Sequence, residues 1–592
     1  MTASEPDLVL RNARVTTLDP ARPEASVIAL KDGRIAGFDG AAEAAIGPHT
    51  QVVDAGRRRV IPGLNDSHLH VIRAGLNYHL ELRWDGVPSL ADALRRLKDQ
   101  AERTPPPQWV RVIGGWNEWQ FAEKRMPTLD ELNRAAPETP VIVLHLYDSA
   151  LMNRAALRAL GFDSSTPNPP GGLIARDASG EPTGLLIAEP SAFILYSTIA
   201  RAPKLSFDDQ LNSSRHFMRE LNRFGVTSVG DAGGGWQNYP EDYGVIQQLA
   251  GNGEMTLRIA YSLFAQKPGA ELADYTRWIG MTRPGEGDAM LAVAGAGENL
   301  VWSGGDFENF LQPRPDLTPI LESELEAVIR ALVGARWPFR IHATYDETIE
   351  RFLGVFERVN RDIPFDGLRW FFDHAETIGA KNIDRTRALG GGIAIQHRMA
   401  FQGEYFIRRF GREAARACPP IRQILAAGIP VGAGTDGTRV ASYHPWTCLD
   451  WLVTGKTVGG TQITAKEGLL SREEALRLYT QGSAWFSGEA GKKGQLAVGQ
   501  LADLAVLSDD YLTCPDDAIR RIESVLTVCD GRIVPAAGDF APLAPPLPAT
   551  SPSWAPTARH GGYVNDAPAK HDHAAIFGAD GRLWEMGCGC AV

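Results

Sequence analysis

The sequence predicts an α/β fold: a (β/α)8 TIM barrel, a small β-sandwich domain built from both chain ends, and an α+β insertion after barrel strand 1. Three observations lead there. Strand-like runs alternate with helical stretches through the middle of the chain, and eight such strands make a closed parallel barrel. Hairpin patterns occur at both ends. One interval, the 161 residues from His70 to Asp231, is far too long for a single strand–helix unit.

Residues 7–59 read as short strands. Asp7–Leu18 is β-rich, and Ala25–Leu30 and Arg34–Phe38 flank the turn Lys31-Asp32-Gly33. So little sheet is not stable alone. Its partners are the strand-like runs in Gly494–Leu507 and Ile522–Val534, the latter with a second turn at Asp530-Gly531. Residues 1–59 and 488–540 therefore form one composite β domain, and residues 60–487 the barrel. Barrel strands are expected before His68 and at Val226–Asp231, Leu257–Leu263, Asn299–Ser303, Phe339–His342, Arg369–His374, Gly392–Gln396 and Ile429–Gly434. Helices fall between, as at Glu322–Ala335 and Asp346–Val359, and Ser471-Arg-Glu-Glu474 is a capping box for the last. Residues 76–200 are the insertion, expected to cap the barrel mouth. Residues 541–592 are a linker and tail, rich in Pro and Ala over 541–570.

A chain of 592 residues is too long for one core. Its 44% hydrophobic and 22% charged residues are ordinary for a soluble globular protein. A net charge of −11 argues against nucleic acid or an anionic membrane as partner. No run of about 18 apolar residues predicts a membrane span, and the acidic N-terminus lacks a secretory h-region. Cys418, Cys448, Cys514 and Cys529 are isolated, as expected of reduced cytoplasmic thiols. The expectation is a cytoplasmic protein with a small-molecule substrate; a homo-oligomer is left open.

Chemistry gathers at the predicted strand ends, where barrel sites are built. His68 and His70 are two apart, so on an extended segment they face one side and make half a metal site. His342 ends the fifth strand, His374 the sixth, Gln396 the seventh and Asp436 the eighth. The spacings of 32 and 62 residues correspond to one and two strand–helix units. Unrelated core histidines would not show this regularity.

These residues carry a resemblance. Pro62-Gly63, Asp66-Ser67-His68-Leu69-His70, His342-Ala343, His374-Ala375, Gly434-Thr435-Asp436 and Gly499-Gln-Leu-Ala-Asp503 resemble the metal-dependent amidohydrolase superfamily. Within it, the chain is similar to the subgroup that includes N-substituted formamide deformylases, over roughly residues 5–540. The resemblance implies that His68, His70, His342 and His374 bind a divalent metal, zinc by first choice. It implies that Asp436 binds the metal or the attacking water and shuttles its proton, with His374 beside it in the catalytic set. Many relatives carry a bridging lysine on strand 4. Here Trp302 takes that place, which favours one metal per site, or else a bridging carboxylate among Glu298, Asp306 and Glu308. Candidate substrate contacts are Trp116, Asp148, Asn153, Trp302, Gln396, His397 and His444, with Asn153 also a candidate helix cap. The implied reaction is hydrolysis of a non-peptide C–N bond in an amide, formamide or cyclic amide. The alternatives are a mononuclear deaminase of a heterocycle or amidine, and a non-catalytic barrel. His571, His573, Cys588 and Cys590 are either a second, structural metal site or a tail.

Overall fold

The computed structural model describes residues 5–189, 191–235, 237–306, 310, 314 and 316–565. The tail candidates His571, His573, Cys588 and Cys590, and the candidate bridge Glu308, lie outside them.

Eight parallel strands form one sheet in the order 8-7-6-5-4-3-2-1. They are β1 (Leu64–Leu69), β2 (Val226–Asp231), β3 (Arg258–Leu263) and β4 (Leu291–Ala296). They continue with β5 (Phe339–Ala343), β6 (Trp370–His374), β7 (Gly392–Gln396) and β8 (Val431–Gly434). The barrel closes through one buried carboxylate. Asp66 on β1 accepts hydrogen bonds from Thr435 N (3.1 Å), Thr435 Oγ1 (2.7 Å) and Tyr479 Oη (2.6 Å). Asp436 N also donates to His68 O at 2.8 Å. The core is apolar and continuous, and within it Phe339, Trp370 and Phe372 of the sheet pack with Phe356 of the helix after β5.

Seven of the eight expected strands stand within a few residues of their places. The fourth does not. Asn299–Ser303 is not a strand: Trp302–Gly304 forms a single 3-10 turn, and the true β4 is Leu291–Ala296. The physical reason is side-chain size. β4 reads Leu-Ala-Val-Ala-Gly-Ala, a composition of low β propensity. Small residues are required because the β5 side approaches closely; a Cβ on Gly295 would lie 2.1 Å from Pro338 O. β-Propensity instead pointed to the bulkier Leu300-Val301, which is buried in loop.

The insertion builds a six-stranded sheet of its own. Its order is Gly172–Arg176, Pro182–Ala188, Ser149–Met152, Val141–His145, Val110–Val112, Glu81–Leu82. Helices Leu90–Arg103 and Leu129–Ala135 pack on it, capped by Ser89 and by a Thr128–Glu131 capping box. The insertion docks on the helix after β7 and the loop after β8. Asn117 Nδ2 donates to Phe401 O, and Gly114 touches the Arg439 backbone so closely that a Cβ there would lie 1.8 Å from Arg439 O.

Both chain ends share one β domain. A six-stranded sheet joins Arg532–Ala536, Ser524–Cys529 and Leu504–Leu507 to Arg59–Pro62, Arg14–Thr16 and Glu24–Ala25. A four-stranded sheet packs on it through Leu8, Leu10, Ile28, Leu504, Val506 and Leu526. The hairpin pairs Lys31 with Arg34, and Asp32 and Gly33 between them both have positive φ, as a two-residue hairpin turn needs.

Residues 541–565, read above as linker, are packed. The Tyr563 ring stacks on His444 at 3.8 Å, its N–H donates to Glu220 Oε1 at 3.0 Å, and Val564 N donates to Asp85 O at 3.0 Å. Composition misleads here because Pro-rich chain can lie in a groove without forming regular structure. Among the described residues, no helix is long and apolar enough to cross a membrane.

Candidate metal centre

The C-terminal ends of β1, β4, β5, β6 and β8 converge. His68 is on β1 and His70 just beyond it, both on the inner side as their two-residue spacing requires. His342 is on β5, and His374 ends β6. Glu298 lies two residues past β4, and Asp436 two residues past β8. All six are buried. His374 and Asp436 have φ of 80° and 54°, left-handed values that non-glycine residues rarely adopt. This backbone bend turns each side chain inward where its strand ends.

The Glu298 carboxylate is the centre of the group. Its Oε2 is 3.4 Å from His68 Nε2, 3.5 Å from His342 Nδ1 and 3.5 Å from His374 Nε2, and its Oε1 is 3.5 Å from His70 Nε2. Asp436 Oδ1 lies 3.3 Å from His68 Nε2 and 3.1 Å from His70 Nε2. The sets His68/His70/Glu298, Glu298/His342/His374 and His68/His374/Asp436 each bring their ligand atoms within 4.8 Å of one another.

These residues fit a divalent ion. Most contacts exceed the roughly 2.9 Å of an N–H···O bond. They match the separation of about 3.4 Å between two ligands each near 2.1 Å from one tetrahedral ion. His68 Nε2, both ring nitrogens of His374 and Glu298 Oε2 are buried without a hydrogen-bond partner. Buried polar atoms in that condition need a partner.

The electrostatics are those of a dense cluster of opposite charges: burial would lower His68 and His342, but the nearby carboxylates raise both to about 9. Burial alone would raise the Glu298 carboxyl, but His68 and the other imidazoles hold it well below its ordinary value. Burial likewise opposes ionisation of Asp436, and the Arg398 guanidinium with His68 overcomes it. Burial lowers His374 to about 4, reinforced by His342, so its imidazole is neutral and available as a ligand.

A second set of residues orients the first. His68 Nδ1 lies 2.9 Å from Asp373 Oδ1, and Arg340 donates to both Asp373 oxygens at 2.7 and 2.6 Å. His70 Nδ1 is 2.5 Å from Gly233 O, and Gly233 N donates to Asp231 Oδ1 at 2.8 Å. Asp306 is not between the imidazole pairs. It stands behind His342, 3.4 Å from Nε2, accepting from the Thr344 and Tyr345 amides. Sequence reading missed Asp373, Arg340, Arg398 and Asp231. Two signals were available: a charged Arg340 two residues before His342 in an apolar strand, and Asp373 next to His374.

The remaining candidates divide. Trp116 belongs to the insertion core with Trp84 and Phe121, its indole donating to Leu144 O at 3.1 Å. Asn153 caps Arg154–Leu160, accepting from Ala156 N at 2.9 Å and donating to Ala136 O and Thr139 O, so no polar atom is left for substrate. Trp302 sits on the turn after β4, 6.1 Å from Phe264, and Glu298 takes the strand-end position instead. His444 pairs with Thr447 Oγ1 at 2.9 Å and stacks on Tyr563. Asp148 is 3.9 Å from His145. Gln396 and His397, both buried at the end of β7, keep Gln396 Oε1 and both His397 ring nitrogens without partners, which leaves them as substrate-side candidates.

A family model described as the amidohydrolase family matches residues 51–535. The chain belongs to this family. An amidohydrolase of this kind is a metal-dependent hydrolase acting on C–N bonds. The chain is 27% identical to N-substituted formamide deformylase of Arthrobacter pascens, over 89% of this chain and 97% of that one. Among solved structures, it resembles a metal-dependent hydrolase from Pyrococcus horikoshii OT3 with TM-score 0.63, at 20% identity, covering 86% of this chain and 99% of that one. It also resembles atrazine chlorohydrolase of Arthrobacter aurescens TC1, solved with zinc, with TM-score 0.50, at 16% identity, covering 91% and 97%. These two likenesses are of fold alone.

Proposed function

We propose that this amidohydrolase cleaves a non-peptide C–N bond in an N-substituted amide, formamide or cyclic amide. Two divalent ions, zinc by first choice, would be held by His68, His70 and Glu298 and by Glu298, His342 and His374. The observation that carries this is Glu298, its carboxylate within 3.4 to 3.5 Å of both histidine pairs. The argument for one ion rested on Trp302 at a strand end, a place Glu298 takes.

A divalent ion held there would lower the pKa of a bound water toward about 7 and would stabilise negative charge on the scissile carbonyl oxygen. The protein's own share is proton transfer. Asp436, ionised beside Arg398, accepts the proton of the attacking water as the new C–O bond forms. It returns that proton to the departing nitrogen as the C–N bond breaks, giving the carboxylic acid and the amine, which then exchange a proton to carboxylate and ammonium. Asp373 and Gly233 keep the His68 and His70 rings aimed inward.

Similarity to a formamide deformylase along nearly the whole chain supports formamides as the first substrates to try. The test is metal analysis of the purified protein with a screen of N-substituted formamides, amides, lactams and amidines, following amine and ammonia separately. About two ions per chain and amine release from a formamide or amide are expected. One ion per chain would overturn the bridged arrangement, and ammonia from amidines alone would make the enzyme a deaminase.

A further inference from the structure

A cavity of about 370 Å³, on the scale of small-molecule sites, is lined in part by residues from the segments that follow the proposed ligands. Its charged lining is Arg73, Arg111, Lys204 and Arg439 against Glu241 and Asp242. Arg73 comes three residues after His70, and Arg439 three after Asp436. Gly235, also on the wall, is two residues past the carbonyl that holds His70. The cavity is thus walled by the chain segments that leave the proposed ligands.

Arg73 and Arg439 are unlike the other arginines of the interior. Arg83, Arg258, Arg340 and Arg398 are fully buried, and each is paired with a carboxylate: Glu81, Asp503, Asp373 and Asp436. Among the described residues, Arg73 and Arg439 have no carboxylate within 4.0 Å and donate no side-chain hydrogen bond. Arg439 instead lies over the Tyr196 ring at 4.7 Å. Burial and the like charge of Arg73 push it down to about 10. The nearby acids are engaged elsewhere; Glu81, whose charge acts on Arg439, is paired with Arg83. Asp242 accepts from Asn238 N at 2.7 Å, Asp231 is held by the Ile72 and Gly233 amides, and Glu241 is exposed. Room for Arg73 is provided by Gly234, where a Cβ would lie 2.8 Å from its Nη1. Two half-buried guanidiniums facing one cavity, neither with a carboxylate within 4.0 Å, are suited to an anion, since Arg forks match carboxylates in shape and charge.

We propose that Arg73 and Arg439 bind a carboxylate on the substrate, so that the preferred amides are acidic, of the N-acyl-amino-acid type. This rests on the hydrolase reading above. The probes are 4-oxopentanoate and 6-oxoheptanoate, ketone isosteres of acidic amides with no bond to hydrolyse, each compared with its neutral primary amide. Titration calorimetry on the metal-loaded protein should find at least one acid bound about tenfold or more tighter than its amide. Arg73→Gln and Arg439→Gln should each remove most of that preference, and Arg73→Lys should keep part of it, with thermal unfolding confirming that the variants fold. Equal binding of acid and amide, or a preference unchanged in both Gln variants, would overturn the proposal. So would stronger competition by inorganic phosphate than by either acid. Tight acid binding with no turnover of any amide would sink the hydrolase reading and leave the anion site standing.

Discussion

Asp373 Oδ1 lies 2.9 Å from His68 Nδ1, and the same carboxylate is clamped through both oxygens by Arg340. An imidazole so held presents Nε2 to the centre and cannot turn. Asp373→Asn should lower metal affinity about 10–100-fold with the barrel intact, the usual effect of losing such a support. Chelator competition measures it. Wild-type affinity in the variant would show that Asp373 serves only the Arg340 ion pair.

Asp436 is ionised because Arg398 donates to its Oδ2. A positive neighbour lowers a carboxyl pKa, so its removal raises it. Proton acceptance needs the carboxylate, so activity in Arg398→Gln should be lost at higher pH than in wild type. The acid limb of the kcat/KM profile should move up by about one unit or more. Asp436→Asn should keep most of its metal yet lose about 10²-fold or more in kcat. A near-normal rate would remove Asp436 from the proton path.

Glu298 is the one carboxylate that belongs to two of the three ligand groups. Glu298→Gln keeps the shape but lowers the negative charge between four imidazoles. Metal content should fall from about two ions to one or fewer per chain, with kcat/KM down about 10²-fold or more. Two tightly held ions in that variant, by elemental analysis after dialysis, would exclude Glu298 as the bridge.

The insertion is tied to the barrel by His145, whose Nε2 is 3.3 Å from Glu118 Oε2 and 3.2 Å from Tyr405 Oη. Burial alone would lower His145, but Asp148 and Glu118 outweigh it and raise it to about 9 from 6.5. Its protonated form is therefore favoured in the folded state. The stability it contributes is complete below about pH 6.5 and is lost as pH rises through about 9. The Tm difference between metal-loaded wild type and His145→Gln should shrink over that range. A difference independent of pH would show that His145 contributes by packing alone.

Most of the site could be read from residue order. A barrel places ligands at strand ends, so His68, His70, His342, His374 and Asp436 could be picked out by spacing. Glu298 could be named as one of three candidates but not placed, because β4 is built from Ala and Gly and carries no β signal. Asn153 and Trp116 had substrate-like chemistry but are occupied by neighbours that sequence spacing does not reveal, Ala136 O and Leu144 O among them.

The sequence by itself determined the barrel, its insertion, the β domain shared by both chain ends, and four histidines and one aspartate as candidate ligands at strand ends. Each is written in short-range pattern: strand alternation, turn residues, His-x-His, and one ligand per strand–helix unit. Only the tertiary structure decided which carboxylate stands between the imidazoles, that Asp373 and Gly233 hold two of them, and that Arg73 and Arg439 face a cavity with no carboxylate within 4.0 Å. Those are contacts between residues tens to hundreds of positions apart. Their energies depend on burial and distance, which periodicity does not encode.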